Sequence, residues 1–159
     1  MTDWPEDLTP QRSSVYVRNE LVMEAPCDAV WDVLAEAAEW PAWYSHCKNV
    51  RIEGGGRRLE PGARFRWSTN GQPLRSRVLT FAPSERLSWD ASNPLIRVHH
   101  TWGFETTPAG CRVVTEETQR GVLPWSTRPI TRRVMLRVHQ EWLEGLAARA
   151  AGRAAETAG

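Results

Sequence analysis

The sequence is poor in cysteine and contains no long apolar run. Its three cysteines, Cys27, Cys47 and Cys111, are odd in number and far apart, a pattern that predicts neither a disulfide framework nor a thiolate zinc site. A reducing compartment fits such cysteines best, and we therefore predict a cytoplasmic protein. No run of about 18 apolar residues occurs, and the polar start MTDWPEDLTPQ has no apolar core, so we expect neither a membrane span nor a signal peptide.

An excess of charge of one sign is missing as well. The 20 Lys and Arg residues nearly balance the 19 Asp and Glu residues, which leaves a formal net charge of +1, and the chain contains no basic run. A field strong enough to attract nucleic acid or anionic lipid needs a clear excess of charge. We therefore expect neither of these partners, and recognition should depend on shape.

Tryptophan, in contrast, is abundant, with nine Trp against three Phe and two Tyr. Each Trp can bury roughly 150–250 Å² and brings an indole N–H that needs a partner. The segment EAAEWPAWYSHCKNV, residues 36–50, places Trp40, Trp43 and Tyr44 in one turn-rich connection. These side chains either fill the core or close one end of a cavity that holds a flat, apolar molecule.

The length of the chain suits a single domain. We place this domain at residues 14–151, between a flexible N-terminus (1–13) and a flexible C-terminus (152–159). The alternating segment VYVRNELVME predicts a first strand. The segment APCDAVWDVLAEAAEW predicts a short amphipathic helix that Pro41 ends, so that residues 40–45 form at most one further turn.

The middle of the chain, from Lys48 to Arg120, alternates turn signals with β-favouring runs. The pair Asn70-Gly71 is the strongest hairpin signal. Six strands are predicted here, near residues 49–53, 63–69, 73–81, 86–91, 96–106 and 111–120. Apolar residues at i+4 intervals then predict a long helix from Ile130 to about Ala151.

This order of elements predicts an α+β fold. We expect a seven-stranded, curved antiparallel sheet wrapped around the long C-terminal helix, with two short helices after the first strand. Only the C-terminal helix is long enough to cover the concave face of such a sheet. A cavity between the helix and the sheet would be the place for a ligand.

Three segments, APCDAVWDVLAEAAEWPAWYS, FAPSERLSW and HTWGFETTPAGCRVVTEE, together with the order of elements, resemble the START/birch-pollen-allergen superfamily, also called SRPBCC. Within it, the chain resembles the polyketide cyclase/dehydrase and lipid-transport group. The resemblance implies a helix-grip fold with an internal cavity. It leaves the activity open, because members include carriers, receptors and aromatase/cyclases.

The resemblance also implies roles for individual residues. The arginines Arg75 and Arg77 match the strand on which aromatase/cyclases place a pocket arginine, and Glu117 matches a polar pocket position. Cys47 occupies the position that resembles a catalytic tyrosine of those enzymes, so the chain departs from their pattern there. Further pocket positions implied by the resemblance are Trp40, Tyr44 and Trp102.

Alternation along the strands supports some of these positions independently. His100 and Trp102 share an inward parity, while His99 points to the other face. Glu117 is also inward, and we expect Arg77 to pair with it, because a buried carboxylate needs a partner. His100 is either a hydrogen-bonded core residue or an acid/base group, and the Glu117–Arg77 pair is either structural or able to polarise a ligand carbonyl.

The predicted catalytic residues are therefore Arg77, Glu117 and His100. The predicted ligand contacts come from α-helical and β-strand periodicity and from the resemblance. They are Trp40, Tyr44, Cys47, Trp67, Arg75, Trp89, Trp102, Met135, Val138 and Trp142.

No metal site is predicted, because the adjacent histidines point to opposite faces and no HxxxH or CxxC spacing occurs. A nucleophile elbow with a catalytic triad is also missing.

Two hypotheses remain for the function. The protein is either a cofactor-independent cyclase or dehydratase that acts on a polyketide-like or aromatic carbonyl compound, or a carrier or sensor of a hydrophobic metabolite or lipid. Either would be a monomer or a homodimer.

Overall fold

Seven strands form one antiparallel sheet. A computed structural model describes residues 4–159 of the chain, and the strand order in it is β1-β7-β6-β5-β4-β3-β2. The sheet confirms the predicted fold class. The strands are β1 (Val15–Met23), β2 (Cys47–Ile52), β3 (Arg64–Thr69), β4 (Gln72–Ala82), β5 (Arg86–Asn93), β6 (Ile96–Thr107) and β7 (Gly110–Arg120).

The β3–β4 connection is the tight hairpin that the Asn70-Gly71 pair predicts. Thr69 pairs with Gln72, so only two residues form the turn. Asn70 has φ 49° and Gly71 has φ 77°, as a type I′ turn requires at both positions. Asparagine and glycine are the residues that adopt positive φ at least cost.

Short helices follow β1 and β7. The first two are α1 (Cys27–Ala35) and α2 (Trp40–Trp43), with a 3₁₀ turn (Ala37–Glu39) between them. Pro41 lies in the first turn of α2, where its missing N–H leaves no hydrogen bond unmade. A third short helix, α3 (Val122–Ser126), was not predicted from the sequence.

The C-terminal helix α4 (Arg128–Ala158) covers the concave face of the sheet. It is longer than predicted, since it continues past Ala151 through most of the segment expected to be flexible. Arg153 donates to the Glu36 carboxylate at 2.6 Å, which holds this last part of the helix against the end of α1. Within residues 4–159, no helix combines the length and the apolarity needed to cross a bilayer.

Part of the N-terminal segment expected to be flexible packs against the convex face of the sheet. Leu8 is 1% exposed, and its carbonyl accepts a hydrogen bond from Thr118 Oγ1 at 2.7 Å. The Trp4 ring meets His99 edge-on at 5.2 Å. This cover explains why His99 and Thr118 are buried although they point away from the cavity. Residues 1–3 lie outside the described part of the chain.

Cys27 and Cys111 form a disulfide bond, so the expectation that the cysteines form no disulfide was wrong for these two, and the cysteines do not support the reducing compartment expected from them. Their Cα atoms are 4.9 Å apart although 84 residues separate them in the sequence. The topology brings them together, because Cys111 pairs with Met23 at the end of β1 and Cys27 begins α1 just after that strand. Cys47 is a free, buried thiol.

Replacing Cys27 and Cys111 together by serine should lower the free energy of unfolding by about 2–4 kcal/mol, because the bridge restricts a long loop of the unfolded chain. Urea denaturation of the variant and of the oxidised and reduced wild type measures the difference. As a control for the bridge itself, alkylation of the denatured, unreduced protein should modify Cys47 alone. Modification of all three cysteines would show that the bridge does not form.

Candidate functional site

A cavity of about 270 Å³ lies between the concave face of the sheet and α4. Most of its surface is apolar and aromatic. Trp67 of β3, Trp89 of β5 and Trp142 of α4 line it, and so does Tyr44 at the end of α2. The Tyr44 ring stacks on Trp142 with 4.5 Å between ring centres and 8° between planes. The walls therefore suit a flat, apolar molecule.

The mouth of the cavity lies between the β3–β4 hairpin and the start of α4. Asn70 of the hairpin and Ile130 of α4 both line the cavity, and Ile130 is 69% exposed. Leu123 and Pro124 bring α3 to the same opening. The unpredicted helix α3 thus forms part of the entrance.

A second layer of side chains lies behind the cavity wall. Trp40 is fully buried, donates its indole N–H to the Leu34 carbonyl at 2.8 Å and meets Trp142 edge-on at 5.4 Å. Among the predicted ligand contacts, this layer holds Trp40, Cys47, Trp102 and Val138, which are buried but do not line the cavity. Of the two explanations for the tryptophans of residues 36–50, core packing therefore applies to Trp40.

Trp43 of the same segment fixes α2 against α4. It is half-buried and lies over Gly145 of α4. A Cβ atom at Gly145 would be 2.8 Å from the Trp43 carbonyl oxygen, so only glycine allows this close approach. The contact holds Tyr44, the next residue, over the cavity.

Three polar side chains meet at the inner end of the cavity. His100 of β6 and Glu117 of β7 are direct cross-strand partners, and His139 of α4 approaches them from the helix. His100 Nδ1 lies 3.2 Å from Glu117 Oε2, and His139 Nε2 lies 3.1 Å from the same oxygen. We call these three residues the His–Glu–His cluster. All three are buried and line the cavity.

Neighbouring polar groups fix the orientation of this cluster. His100 Nε2 lies 2.7 Å from Thr115 Oγ1, and Gln119 donates its amide N–H to Glu117 Oε1 at 2.6 Å. The two imidazole rings stack with 4.8 Å between centres and 13° between planes. Each carboxylate oxygen of Glu117 therefore has a partner, as a buried charge requires.

The protein environment disfavours ionisation of two groups at the site. Burial, and then the neighbouring imidazoles of His139 and His99, lower the pKa of His100 well below its usual value, so His100 is neutral near pH 7. Burial, and then the charge of Glu117, raise the pKa of Tyr44 well above that of a free phenol. Tyr44 is therefore a neutral hydroxyl at any physiological pH.

The two predicted pocket arginines do not reach the cavity. Leu74, Ser76 and Val78 of β4 are buried on the concave side, so Arg75 and Arg77 alternate to the convex face and are exposed. Arg77 is opposite Asp90 on β5, and the expected Arg77–Glu117 pair does not form. The position inferred from the resemblance was wrong because the alternation of β4 gives these arginines the outward parity.

Sequence reasoning missed His139 and Gln119. His139 belongs to the buried stripe of α4, one turn after Met135 and one turn before Leu143, and this i+4 spacing could have revealed it. Gln119 shares the inward parity of Glu117. Both side chains line the cavity.

Among the described residues, the His–Glu–His cluster is also a group of side chains that could hold a metal ion. The donor atoms of His100, Glu117 and His139 all lie within 4.8 Å of one another. The sequence-based expectation of no metal site considered only pairs of residues close in sequence. The fold brings together donors from two strands and a helix instead.

Comparison with known proteins places the chain in a family. Residues 14–151 match the family described as polyketide cyclase / dehydrase and lipid transport, and the chain belongs to that family. No curated protein matches the sequence closely enough to count as a relative.

Solved structures share the fold. Hypothetical protein jhp0584 from Helicobacter pylori is 26% identical, with a TM-score of 0.86, and the match covers 94% of this chain and 96% of that one. The di-domain ARO/CYC StfQ from the steffimycin biosynthetic pathway is 21% identical, with a TM-score of 0.73 over 89% of this chain and 52% of StfQ. Ara h 8.0201 is 11% identical, with a TM-score of 0.66 over 86% of this chain and 97% of the other.

Cys47 should be nearly inert in the folded protein. Burial raises the pKa of its thiol to about 12, and the thiolate is the reactive form. We expect iodoacetamide at pH 8 to modify native Cys47 at least about 1,000-fold more slowly than a free cysteine, with rapid modification after denaturation. Mass spectrometry follows the reaction, and rapid labelling of the native protein would mean that Cys47 is open to the cavity after all.

Proposed function

We propose that the protein binds a flat, hydrophobic, carbonyl-bearing small molecule in this cavity and catalyses its cyclisation or dehydration. The substrate class is polyketide-like or aromatic. The single observation that carries the proposal is a buried carboxylate held between two imidazoles at the inner end of a tryptophan-lined cavity. Membership of the polyketide cyclase / dehydrase and lipid transport family supports it, as does the fold shared with the di-domain ARO/CYC StfQ.

The His–Glu–His cluster supplies the groups that a dehydration needs. Glu117 accepts a proton from the carbon next to a carbonyl, and the electrons left behind form a double bond as a hydroxyl leaves the neighbouring carbon. Glu117 passes this proton to His139 across 3.1 Å, and His139 gives a proton to the departing hydroxyl, which leaves as water. Ring closure by aldol addition begins with the same removal of a proton.

Indole N–H groups near the cavity favour a ligand that carries oxygen. Trp89 and Trp142 line the cavity, and their Nε1 atoms have no hydrogen-bond partner among the described residues. A buried donor without a partner costs about 1–3 kcal/mol. A carbonyl oxygen of a bound ligand that reached either N–H would recover part of this cost.

A second function, carriage or sensing of a hydrophobic metabolite or lipid, is favoured by one specific observation. No Lys or Arg is among the cavity-lining residues of the described chain. A cyclase gains from a positive group where negative charge develops on the carbonyl oxygen. A carrier has no such requirement and needs only the apolar walls.

Filling the cavity should weaken ligand binding. Val134 lines the cavity on α4, and Val134→Trp should weaken binding of polycyclic aromatic ketones at least about tenfold, because the added ring occupies the ligand's volume. Arg137→Trp, an exposed position of the same helix, is the matched control and should bind as the wild type does. Quenching of intrinsic fluorescence and thermal shift measure the binding, and equal binding by both variants would place the ligand elsewhere.

Removing the carboxylate should abolish turnover while the ligand still binds. Glu117→Gln keeps the shape of the side chain but removes the base, so the rate should fall about 10²–10⁴-fold. Arg77→Gln, on the convex face, should leave the rate unchanged. Liquid chromatography with mass spectrometry detects the loss of water from a panel of poly-β-ketone analogues. If the wild type binds these compounds tightly but turns none of them over, the result contradicts the catalytic function and supports the carrier function.

A further inference from the structure

The His–Glu–His cluster has the composition of a transition-metal site. Two imidazole nitrogens and one carboxylate oxygen are ligands that zinc and iron(II) take in proteins, often with one position left for water or substrate. Bonds of about 2.0–2.2 Å in tetrahedral geometry put neighbouring ligand atoms roughly 3.3 Å apart. Glu117 Oε2 lies 3.2 Å from His100 Nδ1 and 3.1 Å from His139 Nε2, close to that spacing.

The hydrogen bonds from outside the cluster engage the atoms that an ion would not need. Thr115 Oγ1 lies 2.7 Å from His100 Nε2 and can accept a proton from it, in the tautomer that leaves the lone pair of Nδ1 for a metal. Gln119 occupies Glu117 Oε1, which leaves Oε2 as the single carboxylate ligand. Such outer partners orient metal ligands and raise affinity.

We propose that His100 Nδ1, His139 Nε2 and Glu117 Oε2 bind one divalent transition-metal ion, with zinc and iron(II) as the chemical class, and that its remaining coordination position faces the cavity. The three donors come from β6, β7 and α4, so the ion would join the helix to the sheet. Magnesium and calcium do not suit this site, because they prefer an all-oxygen ligand set.

This inference deepens the proposed function, since the ion would lie at the reactive end of the same cavity. The lining residues contain no Lys or Arg in the described chain, and the ion would supply the missing positive charge. It would hold the ligand's carbonyl oxygen while negative charge develops there. With Oε2 bound to the ion, Glu117 would be a ligand and not the base, so the metal-loaded and the metal-free protein would differ in how they remove the carbon-bound proton.

Zinc uptake tests the proposal without any organic ligand. Untagged protein, first stripped with a chelator, is titrated with Zn²⁺ in excess Mg²⁺, and bound metal is counted by inductively coupled plasma mass spectrometry. We expect one zinc per chain. Co²⁺ in its place should give the visible d–d bands of a four- or five-coordinate ion with nitrogen and oxygen ligands.

Variants identify the ligands. Glu117→Gln and His139→Gln should each weaken zinc binding at least about 100-fold, and Thr115→Val, which acts through His100, about 10–100-fold. His46→Gln, a histidine outside the cavity that pairs with Glu141, is the control and should bind zinc as the wild type does. Circular dichroism and the melting temperature of each metal-free variant show whether it is folded.

Two results would overturn the proposal: no stoichiometric zinc uptake by the wild type, or uptake that persists unchanged in both folded Glu117→Gln and His139→Gln. In either case the cluster is a hydrogen-bonded network only. The outcome is separate from that of the proposed function, because Val134→Trp should lose the organic ligand and still take up zinc. If the wild type binds zinc but has no affinity for any aromatic ketone, the result supports the metal site and contradicts the proposed substrate class.

Discussion

Helix α4 is held on the concave face of the sheet by aromatic contacts centred on Trp142. This ring stacks on Tyr44 and meets Trp102 edge-on at 5.0 Å. Aromatic pairs of this kind add about 0.5–1.5 kcal/mol each to the free energy gained from burial. The same packing sets the distance between α4 and the sheet, and with it the volume of the cavity. It also fixes His139, which is three residues before Trp142, above its two partners on the strands.

The buried carboxylate of Glu117 is the costly part of this arrangement. An isolated charge in an apolar interior is strongly unfavourable, and here His100, His139 and Gln119 surround it. An apolar side chain at position 117 would pack among the tryptophans without needing any of these partners, and replacing a buried ionic group in this way is often neutral or stabilising. Stability alone therefore does not account for a carboxylate at the end of this cavity.

Most of the fold could be predicted from the sequence, because strand alternation, the Asn70-Gly71 turn and the i+4 stripe of α4 are local signals. The candidate site depended on contacts between distant segments and was predicted only in part. The inward parity of His100 and Glu117 was readable on single strands. The third member, His139, comes from a helix whose rotation about its axis is set by packing, and Arg77 was misplaced because a family resemblance outweighed the alternation of its own strand. The Cys27–Cys111 bridge likewise depends on which strands are neighbours.

That bridge also changes what happens when the backbone is cut. It encloses every residue from Cys27 to Cys111, and the exposed, glycine-containing connection between β2 and β3 lies inside this span. A protease that cleaved there would leave two fragments joined through sulfur, each contributing strands to the same sheet. The nicked protein would keep its intact mass, apart from one added water, until a reductant separated the fragments. Residues 27 and 111 are thus connected covalently in two ways, through the peptide chain between them and through the disulfide bond.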